Sequence, residues 1–235
     1  MIAPFSGRTV LVAGGTGGLG RAVSLAFLEA GAHVEVTFRR REELVALMAD
    51  AGDAHTRLVG HDADVTDEAA AKSLVDDARA RLGRLDVLVN AVGGFAGGKS
   101  LWESDAAVLD RMLTLNLRPG WALARAAVPA MLAQGRGVIV NVAARAALAP
   151  PAGLGAYAAS KAAAVALFAS LAADLKGTGV RVNTVLPSII DTPANRKAMP
   201  GADFSKWPKP EEIARVVLFL AGDGARAVHG AAVPV

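Results

Sequence analysis

The apolar positions change period along the chain. In TVLVAG, residues 9–14, they run almost unbroken, whereas in RAVSLAFLEAG, residues 21–31, they recur at helical spacing before a glycine. The first pattern predicts a buried strand and the second an amphipathic helix that ends at Gly31. The alternation continues through strand HVEVTF (33–38), helix REELVALMADAG, strand TRLVGHDADV closing on acids, helix DEAAAKSLVDDARARLG and strand DVLVNAVGG. A long helix from about Asp105 to Ala133 follows. After it come strand GVIVNVA (137–143), a helix from about Leu154 to Lys176 and strand VRVNTVLP (180–187), and GAAVPV supplies a last strand. Strands separated by helices imply right-handed crossovers, hence an α/β fold whose parallel sheet is covered on both faces. The exception is the proline-rich stretch from about 187 to 210, which has little periodicity; a connection this long suggests a substrate lid.

Composition narrows the function classes. No run approaches the ~18 apolar residues of a membrane span. Met1 to Arg8 lead directly into the first strand and leave no room for a secretory leader, so a cytoplasmic location is expected. There are no cysteines, and His33, His55, His61 and His229 fall in no metal-ligand spacing, so no metal is expected. The formal net charge is +3, yet the basic residues are dispersed apart from Arg39, Arg40 and Arg41. That is no footprint for nucleic acid.

The turn between the first strand and helix reads VAGGTGGLG, which places Gly14, Gly18 and Gly20, with Thr16 and Leu19 between them, where a dinucleotide pyrophosphate meets a helix N-terminus. This predicts one doubly wound Rossmann fold over residues 1–235. The second strand ends at Phe38, where NAD-selective folds offer an acid to the ribose. Here Arg39 and Arg40 follow instead, and guanidinium groups suit a 2′-phosphate, so NADP(H) is the expected cofactor. A solvated helix start is the alternative reading of these arginines. Tyr157 and Lys161 stand four apart in a helical segment and share one face. An ammonium beside a phenol stabilises the phenolate and prepares it to exchange a proton with a substrate.

In this order, these motifs resemble the short-chain dehydrogenase/reductase family over nearly the whole chain. The resemblance implies that Asp64 and Val65 contact adenine, that Asn90, Ala91, Val92 and Gly93 (NAVG) form the turn beside the cofactor, and that Asn116 orders a relay water near Lys161. Pro187, Ile190 and Thr192 resemble the segment that closes over the nicotinamide, with Ser188 in place of its glycine. Catalysis would rest on Tyr157, Lys161 and Asn116. The resemblance also implies that the fourth and fifth helices pair across a twofold axis, giving a homodimer or homotetramer.

One position departs from the family. A serine usually stands thirteen residues before the tyrosine and bonds the reacting carbonyl; here that position is Ala144. Loss of one preorganised donor costs on the order of 3 kcal/mol of transition-state stabilisation. AVGGFAGG (91–98), AARAAL and the 186–207 segment are similar to quinonoid dihydropteridine reductases, which also lack the serine. That branch has tryptophan at the position of Phe95 and uses NADH with an acid after the second strand. Phe95 and Ala144 are therefore the expected substrate-facing residues. The expected activity is hydride transfer to a small conjugated acceptor such as a quinonoid dihydropteridine. The alternatives are a carbonyl or 3-oxoacyl reductase and a non-catalytic dinucleotide sensor.

Overall fold

Residues Thr9–Ala13 form strand β1. Its Val10 and Val12 join one layer of buried side chains, whereas Leu11 and Ala13 join the opposite layer. Both faces of the pleat are thus covered, which is why the strand shows no polar alternation. The computed structural model describes residues 3–235. The remaining strands are β2 (His33–Phe38), β3 (Leu58–Asp62), β4 (Val87–Asn90), β5 (Gly137–Val142), β6 (Val180–Leu186) and β7 (Ala232–Pro234). All pairings are parallel and the order is β3-β2-β1-β4-β5-β6-β7.

Helices α1 (Gly18–Glu29), α2 (Arg41–Asp50) and α3 (Glu68–Ala80) follow the first three strands. Then come α4 (Ala106–Asn116), α5 (Arg118–Ala133), α6 (Gly155–Asp174), α7 (Pro193–Ala198) and α8 (Pro210–Ala221). One layer buries Val23 and Phe27 of α1 with Leu44 of α2 and with Ile213, Val217 and Leu220 of α8. The other buries Leu74 of α3, Leu123 of α5 and Phe168 of α6. By length and composition α6 could cross a membrane, but it is seated against β6 and α4.

One expectation needs correction. The long helix from Asp105 to Ala133 is two helices, divided at Leu117 (φ −111°, ψ −50°). Pro119 has no N–H for the carbonyl four residues back, so the ladder breaks although the apolar spacing continues. The 187–210 stretch, expected as a substrate lid, has secondary structure of its own. It holds α7 and a short 3-10 turn at Phe204–Lys206, and the Asp191 amide donates to the Pro208 carbonyl (2.9 Å), tying its ends together. Helix α8 follows this stretch. Pro210 at its start, Glu211 and Glu212 in its first turn, and a bond from the Lys209 amide to Glu212 Oε2 (2.8 Å) mark it clearly.

Candidate active site

The crevice lies at the carboxyl ends of β1 and β4, where the strand order changes direction. Gly14 has φ +76° and accepts no side chain: a Cβ there would lie 3.2 Å from the Ala91 carbonyl carbon. Its amide donates to Thr37 Oγ1 (2.7 Å), and Ser24 Oγ donates to the carbonyls of Gly15 (3.0 Å) and Gly20 (2.8 Å). A Cβ on Gly20 would come within 2.0 Å of the Gly14 oxygen, so α1 can start this close to the turn only with glycine there. Leu19 is buried beneath the turn. On the open side, a Cβ on Gly18 would stand 3.0 Å from Thr192 Cγ2, which places the 187–192 segment across the glycine turn. Thr192 caps α7 by accepting from the Asn195 amide (3.2 Å), Asn195 Nδ2 donates to the Ile190 carbonyl (2.8 Å), and the Pro187 carbonyl accepts from the Arg145 amide (2.9 Å).

Asn116 is the hub of the catalytic end. It is the last residue of α4, just before the break at Leu117. Its Oδ1 accepts from the Gly94 amide (2.9 Å), and its Nδ2 donates to the Gly94 carbonyl (3.1 Å) and to Ser160 Oγ (2.9 Å). Ser160 donates in turn to the Tyr157 carbonyl (2.7 Å). A Cβ on Gly93 would lie 2.8 Å from Asn116 Oδ1 and 3.0 Å from Lys161 Nζ, so the NAVG turn, Asn116 and Lys161 converge. Asn90 anchors that turn through Asn141, with Nδ2 donating to Asn141 Oδ1 (2.9 Å), while Val92 lies beside Gly14.

Lys161 is 6% exposed and, among the described residues, has no carboxylate partner; Nζ reaches the Val142 carbonyl at 3.4 Å. Burial alone lowers its pKa to about 8. Tyr157 is half-buried, with Nζ 6.0 Å from its ring centre. Burial raises the Tyr157 phenol above its ordinary value. In the chain alone burial sets the direction of that shift, with Lys161 Nζ over the ring.

Phe95 meets Tyr157 edge to face, centroids 5.0 Å apart. A Cβ on Gly97 would lie 2.2 Å from Leu154 Cδ2 and 3.4 Å from Phe95 Cζ, and one on Gly155 would lie 3.3 Å from Leu101 Cδ1. Phe95, Leu101 and Leu154 thus make an apolar rim beside Tyr157. Ala143 and Ala144 are both buried behind it. At the far end, Asp64 spends its carboxylate on Thr66, accepting from its amide (3.0 Å) and hydroxyl (2.8 Å), while Val65 is buried. Arg39 is exposed. Arg40 is bound to Glu43, its Nε donating to Oε1 (3.0 Å), and Thr16 Oγ1 donates to Glu43 Oε2 (3.1 Å). Sequence reasoning missed Thr37, Glu43, Leu101, Leu154 and Ser160, since short polar side chains and scattered leucines carry no signal until the chain brings them together.

A family model described as short chain dehydrogenase matches residues 8–203. The chain belongs to the short-chain dehydrogenase family. It is 32% identical to a 3-oxoacyl-[acyl-carrier-protein] reductase of Thermotoga maritima over 95% of this chain and 94% of that one. It is 34% identical to a D-threitol dehydrogenase of Mycolicibacterium smegmatis, covering 96% and 90%. Among solved structures it resembles NAD+-bound xylitol dehydrogenase (TM-score 0.91, 26% identity, 98% of each chain). It likewise resembles levodione reductase (TM-score 0.91, 28% identity, 98% and 96%).

In this short-chain dehydrogenase the residues present fit a nicotinamide dinucleotide. The glycine turn forms a cradle that side chains would fill, and Lys161 is a buried cation short of partners, suited to sugar hydroxyls.

Proposed function

We propose that this enzyme uses NADP(H) to reduce a small, conjugated acceptor of quinonoid dihydropteridine type, with Tyr157 as proton donor. The observation that carries the reading is the acceptor side of Tyr157: an aromatic edge from Phe95, leucines around it, and Ala144 in place of a hydroxyl donor. A conjugated ring spreads developing charge over several atoms and needs that second donor less than a ketone does. Bound, the cofactor supplies the hydride. The chain holds the rest. Tyr157, protonated at neutral pH, gives its proton at Oη; Lys161 supplies positive charge behind it, and Asn116 fixes the Gly94 loop and Ser160 around both. Arg39 and Arg40 support the choice of NADP(H), since a guanidinium binds a phosphate more strongly than a ribose hydroxyl. The fold alone does not choose, because the xylitol dehydrogenase is NAD+-bound.

A second reading, carbonyl or 3-oxoacyl reduction, is favoured by what the relatives are called: a 3-oxoacyl-[acyl-carrier-protein] reductase and D-threitol dehydrogenase. The test is NADPH oxidation with a quinonoid dihydropterin, with a β-keto ester and with no acceptor. The pterin should turn over, Tyr157→Phe should remove most of that rate, and Ala144→Ser should raise only the keto-ester rate. Brisk keto-ester reduction by the wild type with no pterin activity would establish the second reading in its place.

A further inference from the structure

Glu43 lies outside every motif recognised in the sequence, yet it is the carboxylate fastened to the glycine turn. One oxygen accepts from Arg40 and the other from Thr16, so the acid bridges α2 to the turn at its adenosine end. We propose that Glu43 is a specificity residue that sets the balance between NADP(H) and NAD(H). This rests on the reading that the dinucleotide lies along the glycine turn with its adenosine at the end of β2.

The argument compares two ligands at one place. A free ribose 2′-hydroxyl can donate to a carboxylate, as Thr16 does already. A 2′-phosphate cannot, and it must also draw Arg40 away from Glu43. The Arg40–Glu43 pair is exposed on the arginine side (72%), so it yields readily to a phosphate. Glu43 itself is only 30% exposed and keeps its bond to Thr16, so its charge stays beside the incoming phosphate. That charge is present at neutral pH whether or not Arg40 is attached, because neutral pH lies well above the ordinary range of a carboxyl, and the bond from Arg40 only lowers its pKa further. Arg39, exposed and in the field of Asp64, attracts the phosphate from the other side. Arginines that favour NADP(H) and an acid that favours NAD(H) thus oppose each other, and Glu43 narrows the margin by which NADP(H) is preferred.

The test is fluorescence titration of NADPH and NADH into the wild-type chain, Glu43→Gln and Arg39→Ala. Gln is isosteric and keeps an acceptor for Thr16, so thermal melting should match wild type. Glu43→Gln should tighten NADPH roughly three- to tenfold, change NADH less than about twofold, and lose most of its gain at high salt. An unchanged affinity ratio, or a gain that persists in high salt, overturns the role of Glu43. The wild-type ratio and Arg39→Ala judge the cofactor reading separately. If the wild type prefers NADH yet Glu43→Gln moves the ratio toward NADPH, the cofactor assignment fails and the Glu43 inference stands. If the wild type prefers NADPH and the ratio does not move, the reverse holds. Binding of neither cofactor overturns both.

Discussion

Lys161 shows how a functional site is held at the expense of stability. An ammonium buried with one distant carbonyl has its pKa lowered from 10.5 to about 8, which corresponds to ~3 kcal/mol against the folded state at neutral pH. The sign follows from proton counting. Between pH 8 and 10.5 the unfolded chain binds the extra proton, so this group makes stability rise with pH across that window; below it the whole penalty is present. Lys161→Met should therefore raise the urea midpoint at pH 7, and the advantage should vanish towards pH 10.5. Lower stability of the variant at pH 7 would show that the ammonium is better compensated than its neighbours suggest. Activity has the opposite dependence. Reduction needs the charged lysine and the protonated tyrosine together, so the wild-type rate should fall as pH rises through about 8.

The break between α4 and α5 does the positioning. It turns the chain just after Asn116, whose side-chain amide clasps Gly94 and reaches Ser160. Asn116→Ala would strand the Gly94 amide and carbonyl, and loss of such partners costs about 1–3 kcal/mol. The expected result is an unfolding free energy lowered by that amount, read as a lower urea midpoint, and a fall in kcat with cofactor affinity little changed; an unchanged midpoint and rate would remove Asn116 from the site. Sequence legibility divides along the same line. The glycine turn, Tyr157 and Lys161 are local in sequence and could be read. The αα break was visible as Pro119 but was overridden by apolar periodicity that runs straight through it. Ser160 and Glu43 are unreadable because their roles depend on partners 44 and 27 residues away.

At the scale of the whole molecule, apolar surface remains uncovered on α4 and α5. Leu109, Trp121 and Leu132 are 42%, 47% and 43% exposed, and α6 beside them is long and apolar. A second copy is the natural cover, and a twofold pairing would bury all three helices at once. Light scattering at micromolar concentration should give a dimer or tetramer of the 23.9 kDa chain; a monomer alone would refute the pairing. The opposite layer has a different history. Phe27 and Val23 of α1 are completed by Ile213, Val217 and Leu220 of α8, made long after them. During synthesis, then, the helix that carries the glycine turn keeps an open flank until α8 has left the ribosome, so the first part of the cofactor site to be translated waits for a late segment to cover it.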